Sequence, residues 1–141
     1  GASLSRLRPG ALEGRTLKDA LEKMIREYQT LSNLQVDLHY EWVDVDMDVM
    51  IEDTIFRVIQ ESMTNAVRHG HASRMILHFF EDEEDYLIEL QDNGVGFETL
   101  TYGYGLKQMM ERISILGGQL QFESRDGFFT RVSLPKYKEG R

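Results

Sequence analysis

Residues 75–96 read MILHFFEDEEDYLIELQDNGVG, and this stretch decides the fold. Met75 to Phe80 is a run of large apolar residues of strand length. Glu81 to Asp85 is an acidic turn whose like charges water screens. Tyr86, Ile88 and Leu90 then alternate on the return, the period of a half-buried strand. The pattern predicts an antiparallel hairpin that runs out into an irregular bend bearing two glycines, Gly94 and Gly96.

On either side of this hairpin the period changes to helical. Upstream, Ile51, Ile55, Val58, Ile59, Met63 and Val67 predict a helix from about Asp48 to His69. Before it, Val36, Leu38, Tyr40 and Trp42 alternate with Asp37, His39 and Glu41, which predicts a strand within residues 34–43. Leu17, Ala20, Leu21, Met24, Ile25, Tyr28 and Leu31 predict a helix that starts at an N-cap, Thr16, with Asp19 three residues on. Downstream, Leu106, Met109, Met110, Ile113 and Leu116 predict a third helix, with Gly117-Gly118 as its stop. Strands over 119–124 and 128–134 follow, joined by Arg125-Asp126-Gly127, an Asp-Gly turn signal. Helices thus alternate with antiparallel pairs. The expected fold class is α+β: a two-layer α/β sandwich with a mixed, mostly antiparallel sheet and about three helices on one face.

The chain of 141 residues fits one domain, expected over 16–136, with an entry segment at 1–15 and a tail at 137–141. Sixteen basic against 24 acidic residues leave a net charge of -8, which repels nucleic-acid backbones and anionic membranes. Without cysteine, disulfides and thiolate metal sites are excluded. No apolar run approaches the roughly 18–20 residues of a membrane-spanning helix.

Three features carry chemistry. Glu61, Asn65 and His69 recur every four residues and share one stripe of the second helix, with Arg68 beside them. A solvated face is the plain explanation, but Asn is a middling helix former, and a carboxylate and an amide one turn apart can hold a hard cation. Asp92-Asn93-Gly94-Val95-Gly96 is a common kind of turn. It also places a carboxylate that can accept from an exocyclic amine such as that of adenine, beside glycines that admit a ligand closely. Gly103-Tyr104-Gly105-Leu106 opens the third helix, whose N-terminal N–H groups and dipole favour phosphate. The spacing matches neither the Walker pattern nor the dinucleotide fingerprint. His39, His71 and His78 offer no zinc spacing and read as surface, packing or loop residues.

Taken together, residues 61–69, 92–96 and 103–106 resemble, in order and spacing, the N, G1 and G2 boxes of the GHKL ATPase superfamily. Within it the chain is most similar to the catalytic domains (HATPase_c) of sensor histidine kinases that pair with NarL-type response regulators. Leu7-Arg8-Pro9, Gln60-Glu61, the run 105–112 and the closing residues 130–135 carry that likeness. The resemblance implies the Bergerat ATP-binding fold, ATP and Mg2+ as ligands, and transfer of the γ-phosphoryl group to a histidine on a separate dimerisation domain.

By position it implies that Asn65 ligates the metal and that Glu61 acts near the γ-phosphate. Asp92 binds the adenine amine, with Thr130 assisting. Gly94 and Gly96 shape the adenine pocket. Gly103, Tyr104, Gly105 and Leu106 set the helix N-terminus at the phosphates, and Arg68 or His69 offsets phosphate charge. It further implies a cytoplasmic domain of a soluble or membrane-anchored parent, monomeric as a fragment and homodimeric in the whole kinase, with a response regulator downstream. The alternatives are an anti-sigma-factor type of serine kinase and a nucleotide-binding module without turnover. One departure stands out. The family usually has glycine just before the threonine, where this chain has Phe129, and Gly127 lies three residues before Thr130.

Overall fold

The computed structural model describes residues 12–43, 45–96 and 104–136, with Tyr104 by its backbone alone. The Leu7-Arg8-Pro9 entry, Gly103, the stretch 97–102 and the tail lie outside the described residues.

Helix α1 spans Leu17–Leu31 and starts where Thr16 accepts from the Asp19 amide at 3.1 Å. Strand β1, Gln35–Tyr40, is shorter than the alternation suggested. Trp42 lies beyond it, but its indole N–H donates to the Phe80 carbonyl at 2.6 Å, which holds the ring in the core. Helix α2 spans Val49–Arg68, with Asp48 as N-cap accepting from Met50 at 2.7 Å. It ends at His69, and the Ala72 amide returns to the Ala66 carbonyl at 2.9 Å. Strands β2, Arg74–Glu81, and β3, Asp85–Asp92, form the expected hairpin. Helix α3 covers Tyr104–Ile115, and strands β4, Gln119–Ser124, and β5, Phe128–Pro135, close the chain.

The five strands lie in the order β1-β2-β3-β5-β4. Only β1 against β2 is parallel, as the crossover through α2 requires, and the other pairs are antiparallel. One face carries Val36, Met75, Leu77, Phe79, Ile88, Leu90, Val132 and Leu134. These join Leu21, Ile55, Ile59, Met63, Met109 and Ile113 of the helices in a single core. The other face is polar and paired across strands, as in Arg131–Glu89 at 3.2 Å and Arg74–Asp37 at 2.9 Å. His78 meets Glu41 there at 2.8 Å and lies edge-on to His39, so both histidines belong to the outer surface.

Burial departs from the sequence pattern at a few positions. Met110, expected inward, lies at the surface, whereas Leu87, outside the predicted alternation, is buried on the far side of the sheet. Just after α2, the Gly70 carbonyl accepts from Val95, which brings the end of that helix to the bend following β3.

Candidate functional site

At the end of β3 the core face stops being apolar. Asp92 continues the row of Ile88 and Leu90 and is 4% exposed, and Thr130 on the neighbouring strand is 1% exposed. The sequence reading placed Asp92 in the irregular bend after the hairpin. The structure corrects this: β3 carries the side chain to the helix-facing side, where a free carboxylate is costly. Two backbone amides reduce that cost, Gly94 donating to Oδ1 at 2.8 Å and Phe128 donating to the same oxygen at 3.0 Å. Burial still dominates and raises the Asp92 pKa above the ordinary carboxylate range, against the lowering by these two bonds. Both bonds fall on Oδ1, so the lone pairs of Oδ2 are spared for another donor.

Glycines line this corner because side chains do not fit. A Cβ at Gly94 would meet the Gly70 carbonyl oxygen at 2.5 Å. The same carbonyl accepts from Val95 at 2.9 Å, so the bend after β3 is clamped to the end of α2. Gly96 adopts φ +70° and packs on Gly127 and Ser124. Gly127, at φ +126°, lies directly against the backbone of Asp92. This accounts for the Phe129 departure: the close-approach glycine in this chain is Gly127. Phe129 pairs with Gln91 on the outer side of the sheet, its ring under the Arg125 guanidinium at 4.0 Å. Gly70, Gly127 and the Phe128 amide were missed in the sequence. Only Gly127 had a local signal, as part of the Asp-Gly turn. Asn93, in the middle of the motif, is structural: its Oδ1 accepts from Ser73 and Arg74, each at 2.9 Å, and ties the start of β2 to the end of β3.

The second half of the site lies along α2. Glu61 and Asn65 are half-buried, while Arg68 and His69 are exposed at the helix end. Glu61 reaches the first turn of α3, where a Cβ on Gly105 would overlap its carboxylate. Leu106, the next residue, is buried in the core and anchors that turn. Glu61 and Gly105 line a cavity of about 200 Å³ between α2 and α3. Asn65, Asp92 and Thr130 are not among its lining residues. Along α2, Asn65 lies between the cavity residue Glu61 and the Gly70–Gly94 contact that follows the helix.

The donor set suits a hard cation held loosely. Among the described residues neither Glu61 nor Asn65 spends its side chain on a hydrogen bond or ion pair, and no three His, Cys, Asp or Glu form a metal cage. Magnesium typically takes one or two protein oxygens, keeps water and completes its shell with phosphate, so these residues fit it.

Fold and site together define a class: a small two-layer α/β domain, with a buried carboxylate beside one end of a helix and half-buried polar groups along that helix. Comparison with known proteins carries this further. Residues 50–138 match the profile of the histidine kinase-, DNA gyrase B-, and HSP90-like ATPases. The chain is 35% identical over 138 residues to the histidine-protein kinase/phosphatase UhpB of Salmonella typhimurium, covering 94% of this chain and 27% of that protein. It is 31% identical over 136 residues to the sensor histidine kinase LiaS of Bacillus subtilis, covering 94% and 37%. Among solved structures it is similar to the histidine kinase AdeS of Acinetobacter baumannii, with a TM-score of 0.74 at 20% identity over 86% of this chain and 65% of that one. It is also similar to the ATP-binding domain of PrrB from Mycobacterium tuberculosis, with a TM-score of 0.71 at 20% identity over 85% and 93%. The chain belongs to the histidine kinase-, DNA gyrase B- and HSP90-like ATPase family and is an ATP-binding domain of the sensor-kinase kind. It spans well under half the length of the curated relatives named here. Among the described residues, no helix is long and apolar enough to cross a membrane.

Proposed function

We propose that this chain binds ATP with Mg2+ and presents the γ-phosphate to a histidine on a separate dimerisation domain, as the catalytic domain of a two-component sensor histidine kinase. The observation that supports this best is the clamp of the Asp92 bend onto the end of α2, with Asn65 and Glu61 following along the same helix. Phosphoryl transfer is mainly positioning and charge stabilisation, which a rigid helix between two glycine-bearing corners supplies.

In this reading Oδ2 of Asp92 accepts from the adenine amine, and Thr130 stands beside it. Gly94 and Gly96 leave room for the base. Asn65 holds the metal, which offsets charge on the phosphates when bound. Tyr104, Gly105 and Leu106 aim the α3 N-terminus at the phosphates, with Gly103 preceding them, and exposed Arg68 and His69 add positive charge. Glu61 takes the proton that the acceptor imidazole sheds. Residues 1–15 lead in from the dimerisation domain, 16–136 form the catalytic domain and 137–141 a tail. A response regulator receives the phosphoryl group next. The domain works on the cytoplasmic side, a monomer alone and paired in the whole kinase.

Titration with ATP in the presence and absence of Mg2+, followed by incubation with γ-labelled ATP, tests the reading. Saturable, magnesium-dependent binding without stable label on this chain is expected. No binding, or stable label on one of its own histidines, overturns it.

A further inference from the structure

Asn65, Glu61 and Arg57 follow one another along α2 at single-turn spacing, about 6 Å per step. This file runs away from the Gly70–Gly94 contact, and hence away from Asp92. At its far end lies the cavity between α2 and α3, walled by Arg57, Gln60 and Glu61 on one side and Gly105, Gln108 and Arg112 on the other. In a chain of net charge -8, two guanidinium groups and one carboxylate face this space.

An arginine in so acidic a chain is most simply explained by a surface ion pair, and here that explanation falls short. Arg112 makes no ion pair among the described residues. Arg57 is tethered from behind, its Nε donating to Oδ2 of Asp53 at 2.9 Å. Asp53 is 6% exposed, and its other oxygen is buried without a hydrogen-bond partner. The pairing is side-on, so it fixes the stem of Arg57 and leaves both Nη groups without a partner among the described residues.

We propose that this cleft is the port through which the phosphoacceptor meets the γ-phosphate, with Arg57 and Arg112 stabilising the phosphoryl group in transit and Asp53 positioning Arg57. The inference rests on the kinase reading above. Displacement at phosphorus runs in line, so the nucleophile arrives opposite the departing oxygen. With adenine at Asp92 and phosphates along Asn65 and Glu61, the cleft beyond Glu61 is, among the described residues, the space at the end of this file away from the base. A ring nitrogen of the acceptor forms the bond to phosphorus as the bond to the β,γ-bridging oxygen breaks. ADP leaves with that electron pair, and the proton of the other ring nitrogen passes to Glu61. The two guanidinium groups keep their protons throughout and offset charge on the equatorial oxygens.

Single-turnover transfer from γ-labelled ATP to the phosphoacceptor domain, carried in the same polypeptide or supplied in trans, tests this beside ATP and ADP affinities. Arg57→Gln and Arg112→Gln should each slow transfer by about a hundredfold to a thousandfold, the scale of losing one preorganised charge donor. Both nucleotide affinities should stay within about twofold. Arg57→Lys should recover part of the rate, and Asp53→Asn should slow transfer less than Arg57→Gln. Since Arg57→Gln strands a buried carboxylate, the pair Asp53→Asn with Arg57→Gln guards against misfolding, and Arg112→Gln is independent of it. Unchanged transfer in that double variant and in Arg112→Gln overturns the port, as does a loss of ATP affinity in proportion to rate. If the unaltered chain binds no ATP, the kinase reading fails and the port with it. Normal transfer by the unaltered chain and by the variants removes the port alone.

Discussion

The backbone amide of Phe128 donates to Oδ1 of Asp92 at 3.0 Å, joining residues 36 positions apart in the chain. This bond and its partner from Gly94 hold an acidic group on the core face of the sheet, where burial raises its pKa. Unfolded aspartate titrates near 3.9, so the folded state binds this proton more tightly than the unfolded state does. The resulting stability is present below about pH 4 and is lost as pH rises through the folded pKa. At neutral pH the carboxylate is therefore a cost to folding. Asp92→Asn keeps an oxygen for both amides and drops the charge. Its Tm should exceed that of the unaltered chain at pH 7, with the gap closing toward pH 4, while ATP binding is lost. An equal or lower Tm at pH 7 would show that the two amides outweigh burial.

The same proton governs the ligand. An adenine amine needs the ionised form of Asp92, so ATP affinity should fall on acidification with an apparent pKa above that of an ordinary aspartate. Titrations between pH 4.5 and 8 check this, and a flat profile would remove Asp92 from adenine recognition.

Gly105 and Gly127 should separate function from stability. The nearest atoms a methyl at Gly105 would meet all belong to the flexible Glu61 side chain, while alanine is a better helix former than glycine. Gly105→Ala should therefore leave Tm equal or higher but impair phosphoryl transfer by displacing Glu61. Gly127→Ala meets the Asp92 backbone at a φ of +126°, and should destabilise by about 2 kcal/mol or more. Urea unfolding of both variants provides the comparison, and a destabilised Gly105→Ala with a normal transfer rate would reverse the assignment.

Asn65 is half-buried and its side chain makes no hydrogen bond among the described residues, so Asn65→Ala should retain the fold and chiefly lose the magnesium dependence of ATP binding. The measurement is ATP affinity with Mg2+ and with chelator. A variant that keeps the full magnesium effect places the ion elsewhere.

Trp42 is the only tryptophan, and its indole N–H reaches the Phe80 carbonyl from beyond the end of β1. Trp42→Phe should cost about 1–3 kcal/mol by stranding that carbonyl. Chemical denaturation followed by circular dichroism measures the cost. No loss would mean that water replaces the indole.

Much of this protein was determined by short-range sequence alone. Periods of two and 3.6 marked the three helices and strands β1 and β3, because each buries one face and the alternation records it, while an apolar run and an Asp-Gly turn marked the other strands. Thr16 and Asp48 set helix starts, since a side-chain oxygen next to an unpaired amide acts within a few residues. Tertiary structure decided what depends on distant neighbours. It set β1 parallel beside β2, turned Asp92 inward to meet Phe128, and brought Gly70 against Gly94. It also made Gly127, rather than the residue before Thr130, the glycine that approaches Asp92. Beyond the Asp-Gly turn at Gly127, none of these has a local signature, because strand pairing and the crossover through α2 determine which groups share a face and which backbones touch.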